Sequence, residues 1–165
     1  LGVGEAYLPV LDAVGRLARQ PGGEVLVQLI SRHAPNWLLQ MPGLLSPAGM
    51  EALRRRVGDT TRGRMLREMA DALEVVTATR PLVLVLEDLH WSDPSTLDVL
   101  SYVAQRSEPC RLMVLATYRP TDVILRRHPL RGPASELRAR RRSEQLALGR
   151  LTVEAVHQWL AYLRT

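Results

Sequence analysis

The sequence predicts an α/β fold built on a parallel sheet, and three observations carry that prediction. LVLVLE (82–87) and RLMVLATY (111–118) are short runs that are apolar on both faces, as strands are when helices cover both sides of a parallel sheet. The segments around them place apolar residues at helical spacing. From residue 80 onward strand-like and helix-like segments alternate, which is the order of α/β folds.

Each element has a local reason. In GEAYLPVLDAVGRLARQ, Leu8, Leu11, Val14 and Ala18 share one helical face, Pro9 suits a first turn, and PGG at 21–23 ends the helix. A second helix is predicted from Glu24 to about His33. PNWLLQMPGLLSPAG is broken by prolines and allows only a short helix, and PAGMEALRRRV gives another. Residues 60–79 form the longest helix, with Met65, Leu66, Met69, Leu73 and Val76 as its buried stripe, and Arg80-Pro81 breaks it. After the first strand, Asp93 is an N-cap with Pro94 at the first helical position, and the helix runs to about Arg106. After the second strand, RPTDVILRRHPLRGPA reads as loop and SELRARRR as helix. EQLALGRLT supplies a third strand at 144–149, and VEAVHQWLAYL a last helix capped by Thr152. Trp37 and Trp159 read as helix core, and Trp91 as a packing anchor.

Bulk composition narrows the function classes. A chain of 165 residues with 46% apolar residues can bury a real core, which excludes a disordered segment. No apolar run approaches the roughly 20 residues of a membrane span, and no charged-then-apolar leader is visible. The single cysteine, Cys110, excludes an internal disulfide and fits a reducing cytoplasm. It reads as an inert apolar residue. The first residue is Leu rather than Met, which points to a truncated reading frame or an excised fragment.

All 22 basic residues are arginine. Codon bias in a GC-rich genome accounts for that, but its chemical consequence stands: no mechanism needing a lysine ammonium is open to this chain. The basic cluster RARRR (138–142) and Arg54–Arg56 read as solvated helix faces. Neither a helix-turn-helix signature nor aromatic interleaving accompanies them.

The first strand ends in Glu87 and Asp88. Open α/β sheets bind ligands just beyond the carboxyl ends of their strands. Two adjacent carboxylates there suit a hydrated Mg²⁺ and an attacking water; the plain alternative is a turn-capping Asp88 beside a solvated Glu87. The pattern around the two acids is longer than that alternative requires. Glu87, Asp88, Leu89, His90, Trp91, Asp93, Ser95, Thr96, Leu97 and Leu100 match two acids continued by L-H-W-x-D-x-x-[ST]-L-x-x-L. By these residues the chain resembles the STAND branch of the AAA+ ATPases, large bacterial regulators with an ATPase domain. The strand LMVLATYRP adds Thr117 and Arg119 where that family carries a small hydroxyl residue and an arginine, and EQLALGRLTVEAVHQWL is similar to the family's passage into its lid.

The resemblance implies a partial P-loop NTPase core, a three-layer sandwich, over residues 1–150, with the acidic Walker B strand at 82–88 and the sensor strand at 111–119. It implies the start of a helical lid at 151–165. Asp88 and Glu87 would be the catalytic carboxylates and would hold Mg²⁺ through water, the split of roles between them being open. Thr117 and Arg119 would contact the γ-phosphate of ATP, the second implied cofactor. The family's phosphate loop, G-x-x-x-x-G-K-[ST], is absent, as it must be without lysine; GVGEAY at 2–7 lacks the spacing. In the family the strand feeding that loop lies between the sensor strand and the last strand. A three-strand remnant is therefore expected, in which 144–149 pairs directly with 111–118 or hangs loose.

The implied role is a nucleotide-dependent switch in signalling or transcription control, inactive without the phosphate loop. Self-association or regulatory protein partners go with it, DNA would be reached only through an output domain not present here, and no membrane is involved. Two other readings stand beside it: a non-catalytic interaction or scaffold module, and a basic nucleic-acid-binding module.

Overall fold

The computed structural model describes residues 5–106 and 110–163; the Gly2 and Gly4 of GVGEAY lie outside them. Helices α1 (Leu8–Ala18), α2 (Gly23–His33), α3 (Pro35–Leu39), α4 (Pro47–Arg56) and α5 (Arg62–Thr79) come first. Strand β1 (Leu82–Leu86), a 3-10 turn at Leu89–Trp91, α6 (Pro94–Gln105) and strand β2 (Leu112–Ala116) come next, then α7 (Pro120–Leu125), α8 (Arg131–Ala139) and α9 (Val153–Tyr162).

Local chemistry sets many of these boundaries. The side chains of Ser46, Thr61, Asp93 and Thr152 each accept the amide three residues on, capping α4, α5, α6 and α9. Between α1 and α2 the chain needs two glycines. Gly22 sits at φ 82, and a Cβ on Gly23 would lie 2.0 Å from the Ala18 carbonyl oxygen.

The helical half closes around Trp37, which is fully buried with Tyr7, Val10, Leu11, Ile30, Leu38, Leu53, Met65 and Met69. Its indole N–H donates to the Met65 carbonyl at 2.8 Å, and the Tyr7 ring lies 4.8 Å away at 55°. Burial pushes the Tyr7 phenol above its ordinary value. A polar knot sits beside these apolar residues. The Glu68 carboxylate accepts the Asn36 amide at 2.9 Å and the Asn36 side-chain N–H at 2.6 Å, while Thr60 donates to the Asn36 side-chain oxygen. Glu68 thereby satisfies the first turn of α3, and Arg64 pairs with it at 3.2 Å. Of the predicted stripe on α5, Met65 and Met69 are buried, whereas Leu66, Leu73 and Val76 are half-buried. Ala70, Ala72 and Thr77, which the apolar spacing did not select, are buried as well.

β1 and β2 are parallel neighbours in register from Leu82–Leu112 to Leu86–Ala116. One face of this sheet carries Leu84 and Leu86 into a second core with Leu89, Leu97, Val123 and Leu130. α6 joins the two cores: its Val99 packs in the first and its Leu97 in the second. Arg106, at its end, pairs with Asp71 at 3.0 Å and Glu74 at 2.6 Å on α5.

Four expectations need correction. The sheet is not covered on both sides: Val83 and Val85 are each 54% exposed, and Met113 is 56%. The described residues thus supply helices to one face only, so two layers rather than three are seen. Residues 144–149 form no strand. α8 stops at Ala139, Arg141 turns the chain at φ 55, and the chain beyond it runs exposed, with Leu146 and Leu148 open to solvent. Alternating leucines favour a strand only where a neighbouring edge pairs their backbone, and none among the described residues does. Third, the stretch 119–134 is not plain loop, because Pro120 opens α7 and α8 begins at Arg131. Fourth, Trp159 is exposed on α9, which has no buried residue among those described. No helix among the described residues is long and apolar enough to cross a membrane.

Candidate functional site

The two predicted strand ends lie side by side. Parallel pairing leaves the chain beyond Leu86 next to the chain beyond Ala116, and three hydrogen bonds continue the contact past the sheet. The Thr117 amide donates to the Leu86 carbonyl at 3.0 Å, the Leu89 amide to the Thr117 carbonyl at 2.8 Å, and the Asp88 amide to Thr117 Oγ1 at 3.0 Å. Asp88 sits at φ 52, ψ 43, a left-handed conformation that Asp adopts more readily than most residues. The turn it forms leaves its carboxylate 60% exposed. Glu87 is also exposed and makes no hydrogen bond or ion pair among the described residues. The Arg119 guanidinium is likewise exposed and unpaired among them.

Asp88 and Thr117 are therefore in direct contact, and Glu87 and Arg119 flank them without touching each other. Both carboxylates are hard oxygen donors open to solvent. That donor set suits Mg²⁺, which keeps several waters and takes one or two protein carboxylates together with phosphate oxygens. No group of three or more His, Cys, Asp or Glu side chains that could hold a metal alone occurs among the described residues.

For His90 the sequence left open a nucleotide contact, a relay to the next helix, or packing. The residue is 1% exposed. Its Nδ1 accepts the Arg119 amide at 3.4 Å and lies 3.8 Å from Asp88 Oδ1, while Nε2 faces Asp122 Oδ2 at 3.4 Å. That approach was hidden because Asp122 belongs to the segment read as loop. Trp91 is not the buried anchor expected of it. Its ring is 55% exposed and lies under the Arg126 guanidinium, 3.9 Å from the ring centre. Asp93, by contrast, is a structural linchpin: buried, it accepts the amides of Thr96 at 2.9 Å and Tyr7 at 3.1 Å and the Thr96 hydroxyl at 2.6 Å. One acid of the motif thus ties the helical half to the strand half.

A hollow of about 380 Å³ opens between α7 and α8, lined by Tyr118, Val123, Leu130 and Ala134 with Arg131 and Arg138. None of Glu87, Asp88, Thr117 or Arg119 lines it, so it is separate from the acid turn. Cys110 Sγ lies within hydrogen-bonding distance, 3.2 Å, of the Thr77 hydroxyl.

A family model described as an AAA ATPase domain matches residues 6–115. The match takes in both acids and Asp93 and stops two residues short of Thr117. Neither curated proteins nor solved structures gave a match. With two thirds of its length matched, acidic strand end included, the chain belongs to the AAA ATPase domain family, whose members bind and hydrolyse ATP.

Proposed function

We propose that this chain is the acidic and sensor portion of a STAND-type regulatory ATPase core, a nucleotide-dependent switch in signalling or transcription control. Asp88 and Glu87 would hold Mg²⁺ through water, and one of them would orient the attacking water. Mg²⁺, when bound with ATP, would neutralise the charge developing on the phosphate oxygens. Thr117 fixes the Asp88 turn by accepting its amide, and its hydroxyl hydrogen remains free to meet a water at the γ-phosphate. The unpaired Arg119 guanidinium would bind that phosphate with paired N–H donors.

The observation that carries this reading is the Asp88 amide to Thr117 Oγ1 bond, 3.0 Å. It joins two residues 29 positions apart at one sheet end. The phosphate loop must come from sequence other than these 165 residues. The edge of β2 left unpaired among the described residues and the bare Val83, Val85 and Met113 face would suit the strand and helix that carry it, and residues 151–165 would begin the lid.

The test uses this chain with Mn²⁺ in place of Mg²⁺, read by amide NMR. Broadening should centre on Glu87, Asp88, Leu89 and Thr117 and disappear in Asp88→Ala; broadening that persists there removes the acid turn as the metal site. The chain alone is expected to show no ATP turnover, and turnover that survives Asp88→Ala would overturn the assignment. A second reading, an interaction or scaffold module without catalysis, is favoured by the same bare apolar face.

A further inference from the structure

Beyond the Thr117 hydrogen bonds, the acid turn is linked to the chain up to Arg131 through one short segment. The 3-10 turn Leu89–Trp91 and Ser92 after it meet α7 and its flanks four times. Arg119 N–H donates to His90 Nδ1, His90 Nε2 faces Asp122, Arg126 stacks on Trp91, and His128 Nε2 lies 3.1 Å from the Ser92 carbonyl. The central group is the His90 imidazole. Because Nδ1 accepts the Arg119 amide, the ring proton belongs on Nε2, against Asp122. There the 3.4 Å approach does not make a hydrogen bond, and Nε2 is a buried donor without a partner. A buried polar group in that state is costly. A movement of a few tenths of an ångström in the first turn of α7 would complete the bond.

We propose that His90 is a positioning residue that holds the Arg119 loop and the first turn of α7 in register with Asp88. It touches neither phosphate nor metal. It acts by fixing where the Arg119 backbone leaves β2 relative to the acid turn, and by offering Asp122 a bond that closes or opens as α7 moves. The functional weight of that register rests on the nucleotide reading above. The register itself does not, and it can be measured without nucleotide.

Two substitutions separate the contacts. In His90→Asn the side-chain oxygen takes the place of Nδ1 and can still accept the Arg119 amide, while the reach to Asp122 is lost. In His90→Gln the side-chain N–H takes the place of Nε2 and can still donate to Asp122, while the acceptor for Arg119 is lost. The full chain, labelled with ¹⁵N and held at about pH 8, is read by ring and amide NMR with no nucleotide or metal added. The expected result is an Nε2–H tautomer for His90. Arg119 amide exchange should accelerate about five- to ten-fold in His90→Gln and stay near its original rate in His90→Asn. An Nδ1–H tautomer, or equal acceleration in both variants, overturns the proposal. If either variant fails to fold, the tautomer of the unsubstituted chain decides, together with a shift of its Nε2 resonance in Asp122→Asn. A failure of the ATPase reading would appear in the Mn²⁺ and turnover measurements and leave this result untouched.

Discussion

Trp37 and Trp159 both sit on short helices, yet one is fully buried and the other is 59% exposed. The contrast extends to the regions around them. The helical half before residue 80 surrounds Trp37 with apolar side chains from four helices and satisfies the polar end of α3 through Glu68. The region after residue 110 has comparable apolar residues and leaves many of them in solvent, including Met113, Leu146, Leu148 and Leu160. Apolar content therefore does not make a core. A helix or strand buries its apolar stripe only if another element presents a complementary one, and β2 and α9 meet too few partners within the described residues.

The sharpest way to break that contrast is to remove each indole. Trp37→Ala should cost about 4 kcal/mol in urea unfolding, from lost burial and the cavity left behind. Trp159→Ala should stay within about 0.5 kcal/mol, as exposed substitutions do. Equal losses would mean that α9 is packed in solution. Asp93→Ala comes next, at about 2 to 3 kcal/mol, because it removes the cap of α6 and leaves the Tyr7 amide without its acceptor. A loss confined to the strand half, with the Trp37 environment unchanged in fluorescence, would show that the two halves are less coupled than this carboxylate implies. The smallest effect is expected on the bare face. Val85→Thr with Met113→Thr should change stability by no more than about 0.5 kcal/mol each and should reduce self-association in sedimentation, since contiguous exposed apolar side chains favour it. A cost several times larger would place something on that face.

The motif around the acids was legible because its local chemistry is short-range. Asp93 caps and Pro94 opens α6 through contacts within one turn, and the apolar run before Glu87 forms a strand that ends just before the carboxylates. The pairing of Asp88 with Thr117 came from parallel strands ending together. The partners of His90 were not legible, because Asp122 and the Arg119 amide come from another segment. Leu146 and Leu148 misled for the complementary reason: an alternating pattern records what a strand needs, not whether a partner edge is there.

The sequence by itself determined most of the helices, the caps at Asp93 and Thr152, the two apolar strands, the place of Glu87 and Asp88 at a strand end, and the absence of any lysine for a phosphate loop. These are properties of neighbouring residues, set by side-chain spacing, capping oxygens and proline geometry. Only the tertiary structure decided that the sheet has two strands with one bare face, that Trp37 rather than Trp159 is core, that Asp93 binds the helical half to α6, and that His90 stands between the acid turn and α7. Those outcomes depend on contacts between residues tens of positions apart, and such contacts exist only once packing has chosen which surfaces meet.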